Sequence, residues 1–222
     1  MILFSLSQLI RPLKRCLISS QKIFVLGLPR TGTTSVCAAA LALGFKTAHT
    51  VYIQSTLDEA EFIADTPAFH DYEMLLTAYP NAKFIYLERD LASWLPSIKV
   101  LLTRMADRLL TEHGGFFPSL KRCYGEIFHP LNKQTMLDDA HLTQCYLSHK
   151  AKVMDFLQRI DNQHLVVNLS DDNSYQQFCS FLGKQEKGGF EQLNVNGKVT
   201  AWKQIKSPLK LDSTRNGKAD LK

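Results

Sequence analysis

The stretch "KIFVLGLPRTGTTSV", residues 22 to 36, constrains the fold more than any other part of the chain. A continuous apolar run, Ile23 to Leu26, meets Gly27, and a second glycine follows at Gly32. Such a run ending in glycine predicts a strand buried on both faces of a parallel sheet. The alanine-rich "TTSVCAAALALG" that follows predicts a helix, stopped by Gly44. The two glycines let the connecting backbone curl so that its N–H groups point inward, a nest for anionic oxygens. The positive end of the helix dipole faces the same space. Arg30, Thr33, Thr34 and Ser35 add one cation and three hydroxyls, and Pro29, Thr31 and Gly32 complete the candidate loop.

The loop that binds nucleoside triphosphates reads G-x-x-x-x-G-K-[ST]. Here Thr33 stands where the lysine would be, and the cation, Arg30, lies inside the loop. That lysine, with a hydroxyl on magnesium, manages a triphosphate. A loop without it suits a smaller anion, such as one phosphate carrying one further acidic group.

The rest of the chain repeats the strand-helix alternation. Further strands are expected at 45–49, 61–65, 82–88 and 164–169, and further helices at 70–79 and 174–183. A mostly helical stretch covers roughly 92–160, with breaks near Gly114-Gly115 and His129-Pro130. This order implies an α/β fold, a parallel sheet flanked by helices in three layers, α/β/α, with a helical insertion after the fourth strand. Ligands of such sheets bind at the carboxyl ends of the strands, which points to residues 29–35, His49, Asp65 and Arg89. We expect an N-terminal segment over 1–21, one domain over 22–205 and a basic, mobile tail over 206–222.

At 222 residues, 45% hydrophobic and 21% charged, the chain suits one soluble domain. A net charge of +5 fits a small polyanionic ligand and gives no footprint for nucleic acid. The five cysteines (Cys16, Cys37, Cys123, Cys145 and Cys179) are scattered without a C-x-x-C, as in a reduced cytoplasmic protein with no metal site. The apolar start, "MILFSLSQLI", is too short to span a bilayer, where about 20 residues are needed. A packing segment or a peripheral amphipathic helix both fit it.

"GLPRTGTTS" resembles the 5′-phosphosulfate-binding loop of sulfotransferases, which use 3′-phosphoadenosine 5′-phosphosulfate (PAPS). In that family an arginine at a strand end and a serine eight residues later hold the 3′-phosphate. "FIYLERDLASWLPS" has Arg89, Ser97 and, between them, Trp94, matching the R-D-x-x-x-W-x-x-S form of one subgroup. "ADTPAFHDYEMLLTAYPNAKFIYLERD" and "HLVVNLSDDNSYQQFCSFLG" are similar to the same subgroup, so the likeness spans residues 22 to 183. It implies PAPS as co-substrate, bound by residues 29–35 with Arg89 and Ser97. Read without it, Arg89 could equally form a strand-end ion pair with Glu88 or Asp90.

Relatives carry a catalytic histidine in a T-H-x-P-like stretch. The corresponding "IADTP" makes Asp65 the expected base, with His49 and His70 in reserve and Arg30 as the stabiliser of the leaving group. Asp65 could instead cap the helical segment that follows it. The basic loop that closes over the 3′-phosphate in relatives is here reduced to "VNGKVTAWKQ", in which Lys198 is the candidate contact. The acceptor, a carbohydrate, lipid, peptide or small phenol, is left open, as is the oligomeric state. A non-catalytic nucleotide-binding protein and a nucleotide kinase are the alternatives.

Overall fold

The computed structural model describes residues 21–194, 201–215 and 218–219. Five short strands, β1 (Ile23–Val25), β2 (Thr47–Ala48), β3 (Phe62–Ile63), β4 (Lys83–Glu88) and β5 (His164–Asn168), form one sheet in the order β2-β3-β1-β4-β5. Every pairing is parallel. All five lie inside the segments expected as strands. The helices are α1 (Thr33–Ala42), α2 (Gln54–Glu59), α3 (Tyr72–Ala78), α4 (Leu91–Leu110), α5 (Pro118–Ile127), α6 (Asp139–Arg159), α7 (Ser174–Phe181) and α8 (Ala201–Gln204). The pattern had given no sign of α2, whose six residues are too few for a periodicity.

The side-chain alternation of β4 shows why the sheet needs two helical layers. Phe84 and Tyr86 point to one face, where they pack with Tyr72 and Leu75 of α3 and Val153, Phe156 and Leu157 of α6. Ile85 and Leu87 point to the other, against Val36, Cys37 and Ala40 of α1 and Phe178 of α7. Burial of both faces explains the unbroken apolar runs in the sequence. The three-layer arrangement expected from the alternation is present.

The insertion after β4 builds its own core from Trp94, Ile98 and Leu102 of α4, Leu120 and Tyr124 of α5, and Leu142 and Tyr146 of α6. Leu28, from the loop after β1, is buried in it. The α4–α5 connection passes through Gly115 at φ 78°, where a Cβ would lie 2.3 Å from the Arg108 carbonyl oxygen, so the expected break falls where only glycine fits. Helix α6 serves two cores, the insertion with its first half and the sheet with its second.

The described part of the segment expected as a mobile tail is tied to the sheet edge. Thr47 in β2 donates its N–H to the Leu209 carbonyl at 2.9 Å and accepts from the Leu211 N–H at 2.9 Å. Ser213 is 3% exposed and donates to the Thr50 carbonyl. An open edge of β2 invites such pairing. Beyond it, Thr214–Arg215 (β6) and Lys218–Ala219 (β7) form a small antiparallel ribbon. No helix among the described residues is long and apolar enough to cross a membrane.

Within α6, His149 donates Nε2–H to the Phe69 carbonyl at 2.7 Å, while Nδ1 is buried without a partner among the described residues. Burial pushes its pKa down to about 4 from an ordinary 6.5. The unfolded chain therefore takes up this proton first as pH falls. The stability that depends on neutral His149 is complete above pH 6.5 and is lost progressively toward about 4, by about 3 kcal/mol. Urea unfolding followed by circular dichroism should show this loss, and His149→Gln, which can keep the Phe69 bond, should flatten it.

Candidate functional site

The loop after β1 sits where the sheet order reverses, since the chain runs from β1 outward to β2 and β3 and then crosses to β4. Its backbone is held in an uncommon shape. Arg30 has φ 74° and Gly32, which precedes α1, has φ 106°. A Cβ on Gly27 would lie 2.5 Å from Thr31 Oγ1 and 2.6 Å from Leu87 Cβ, and one on Gly32 would lie 2.4 Å from Leu169 Cδ1. Both glycines are therefore required, one by close approach and one also by its backbone angle.

Two contacts from outside and one from within fix this shape. The Trp94 indole N–H donates to the Pro29 carbonyl at 3.0 Å, and Arg89 Nη1 donates to the Arg30 carbonyl at 2.6 Å. Within the loop, the buried Thr31 hydroxyl donates to the Leu28 carbonyl at 2.8 Å. Thr31 thus braces the loop with its side chain. No side chain caps α1, and its first-turn N–H groups have no intrahelical acceptor.

Arg30, Arg89 and Ser97 converge at one side of the loop. Arg30 Nε donates to Ser97 Oγ at 2.7 Å, and Arg89 reaches the Arg30 backbone. Ser97 is thus joined to Arg30, with Arg30 standing between it and Arg89. Burial and then the like charge of Arg89 lower the Arg30 pKa. The ion pair open to Arg89 on sequence grounds is not formed: Glu88 pairs with Lys150 at 2.7 Å, and no carboxylate lies within ion-pair distance of Arg89 among the described residues. Two neighbouring guanidiniums at a loop rich in N–H donors have the chemistry to suit an anion bearing more than one charge.

On the other side, His49 follows β2 and brings Nε2 to 3.2 Å from the Thr33 hydroxyl and 3.0 Å from that of Thr34. The same nitrogen lies 3.9 Å from Asp65 Oδ2, and Trp202 of α8 stacks on the ring at 5.6 Å. Burial lowers the His49 pKa, with the Asp65 carboxylate opposing and Lys210 reinforcing the shift, so the neutral imidazole is favoured. Asp65 has φ 57°, and its Oδ1 accepts from the N–H and hydroxyl of Thr66 at 2.7 and 3.2 Å. Its carbonyl accepts from the Phe69 N–H at 3.3 Å, so the backbone begins the following turn while Oδ2 faces His49. The phenols of half-buried Tyr52 and buried Tyr124 are raised by desolvation first and then by the Asp65 charge.

His70, the second reserve base, is engaged elsewhere. Its Nδ1 lies 2.8 Å from Asp71 Oδ1 and its Nε2 2.8 Å from Glu126, while Arg122 grips Asp71 Oδ2 at 2.6 Å. Asp71 is 5% exposed inside this ion network. Lys198 lies outside the described residues. One participant had no sequence signal at all. Asn194, at φ 58°, accepts from Arg30 Nη2 on its carbonyl at 2.9 Å and donates Nδ2–H to Thr34 Oγ1 at 3.1 Å. Its Oδ1 accepts from the Ala201 N–H at 3.0 Å, tying α8 to the loop. Arg30, Asp65 and Asn194 are the non-glycine residues with positive φ among those described, and all three border the loop. Clustering of uncommon backbone at one place is typical of binding and catalytic sites.

Comparison with known proteins places the chain in a family. A sulfotransferase domain model matches residues 22–56 and 50–199. The Ava biosynthesis cluster protein M of Aspergillus versicolor is 28% identical over 199 residues, an alignment covering 72% of this chain and 75% of that protein. With the matched region running from β1 through the strand-end arginine to the segment that holds Asn194, the chain belongs to the sulfotransferase domain family.

Proposed function

We propose that the protein is a PAPS-dependent sulfotransferase that moves a sulfuryl group to a hydroxyl or amine by in-line displacement. The observation that carries this reading is the convergence of Arg30, Arg89 and Ser97 on an uncapped helix N-terminus, with a carboxylate and an imidazole opposite. The cradle fits a phosphosulfate on its own terms. It offers backbone N–H donors, two guanidiniums and the Thr33 and Thr34 hydroxyls, and a Cβ at either loop glycine would break its shape.

When bound, PAPS supplies an activated sulfuryl group whose departure leaves charge on the 5′-phosphate. Residues 29–35 would hold that end, and Arg89 with Ser97 the 3′-phosphate. Arg30 stabilises the growing charge. As a guanidinium it keeps its proton, so its help is electrostatic, a contribution worth several kcal/mol in preorganised sites. Asp65 Oδ2 accepts the proton of the acceptor. Neutral His49 holds the Thr33 and Thr34 hydroxyls at the helix start through the nitrogen that also faces Asp65. Stacked Tyr52 and Phe117, with ring centroids 4.4 Å apart, would form part of the acceptor wall. The four described cysteines are all unbridged and buried, in keeping with a cytoplasmic setting.

Calorimetry with 3′-phosphoadenosine 5′-phosphate, using ATP with magnesium as control, tests the co-substrate. Binding in the micromolar range for the bisphosphate, weakened at least about a hundredfold in Arg89→Ala, is expected. A preference for ATP would instead support the kinase reading. Transfer of labelled sulfate from PAPS to a panel of hydroxyl and amine acceptors tests turnover. Asp65→Asn should lower the rate about a hundredfold or more with bisphosphate affinity retained. Tight binding with no transfer to any acceptor would favour a non-catalytic nucleotide-binding protein.

A further inference from the structure

Tyr146 lies in the middle of α6, 57 residues from Arg89 in sequence, and has no place in any motif. It is 4% exposed and belongs to the core of the insertion. Its hydroxyl makes two hydrogen bonds, both to the backbone of Arg89. It accepts from the Arg89 N–H at 2.9 Å and donates to the Arg89 carbonyl at 2.8 Å. Residue 89 is the first beyond β4, where the parallel ladder with β5 has ended at Glu88. One phenol therefore satisfies both polar groups that the ladder no longer reaches.

The Tyr146 ring does a second thing. It packs against Trp94 at a centroid distance of 4.8 Å, and the Trp94 N–H holds the Pro29 carbonyl at 3.0 Å. Two aromatic residues from α4 and α6 thus hold the two halves of the anion site, the loop through Pro29 and the strand-end arginine through its backbone. Because the pair is packed ring to ring, the spacing between the halves is set by a rigid contact. The Arg89 side chain bridges the same gap through the Arg30 carbonyl.

We propose that Tyr146 is a positioning residue for the anion site: by clamping the Arg89 backbone against Trp94 it sets where the Arg89 guanidinium meets the loop and its ligand. The assignment rests on the PAPS reading for the identity of the ligand. It does not rest on it for the clamp itself. A tyrosine kept only for packing would be replaced by phenylalanine at no loss of anion affinity. A positioning tyrosine would not, and its effect would run through Arg89.

Tyr146→Phe keeps the ring on Trp94 and removes only the hydroxyl. Affinity for 3′-phosphoadenosine 5′-phosphate should fall about tenfold, the order expected for lost hydrogen bonds to a buried backbone. In an Arg89→Ala background the same substitution should cost nothing further, since a cycle isolates coupling between residues that act as a unit. Amide hydrogen exchange, read on the ligand-free protein, should show protection of the Arg89 N–H that disappears in Tyr146→Phe while the β4 amides stay protected. Wild-type affinity in Tyr146→Phe, or losses that simply add in the double variant, would overturn the proposal. Failure of the wild type to bind the bisphosphate would instead sink the PAPS reading. Exchange at Arg89 would then decide the clamp alone, unchanged protection in Tyr146→Phe counting against it.

Discussion

The hydrogen bond from the Arg89 guanidinium to the Arg30 carbonyl is the contact on which the arrangement of the site depends. It joins the end of one strand to a loop that follows another. It also holds Arg30 in a left-handed conformation that its side chain does not favour by itself. In that conformation the Arg30 side chain reaches Ser97 and Asn194, while the start of α1 is uncapped because its N-cap is Gly32. Without the bond two like charges would have no reason to stand together. With it they form one end of a cradle whose other end is helix N–H groups.

The surroundings make such a concentration of positive charge tolerable, although among the described residues no carboxylate pairs with Arg89. Its backbone is fully satisfied by Tyr146, and its guanidinium donates to a carbonyl and to Ser93 Oγ at 3.4 Å. Glu88, next to it in sequence, pairs with Lys150 instead. Asp65 remains on the opposite side of the loop, next to a histidine whose burial favours the neutral form. The charge pattern is thus divided, with the two arginines on one side of the loop and a carboxylate on the other.

Much of this was legible because it lies in local patterns. Strand-glycine-helix runs report themselves through apolar continuity and turn chemistry, so β1, β4 and the loop stood out, and Arg89 was marked by its place at a strand end. The links between distant segments left no such trace. Asn194 acts through a carbonyl and an amide from a stretch without periodicity, and Tyr146 looks like one more core aromatic on a long helix. His70 illustrates the reverse case. Its position near the expected base suggested chemistry, but the turn of the chain after Asp65 carries it into an ion network with α5. The segment after 206 read as a charged tail because pairing of Leu209 and Leu211 with the edge of β2 is a backbone matter that side-chain composition does not show.

The most direct test of the account is a crystal structure of the protein with 3′-phosphoadenosine 5′-phosphate. The 5′-phosphate should lie on the N–H groups of residues 32–35 beside Arg30, and the 3′-phosphate against Arg89 and Ser97, with Tyr146 still on the Arg89 backbone. A nucleotide seated away from the loop, or one whose 3′-phosphate ignores Arg89, would contradict the account at its centre.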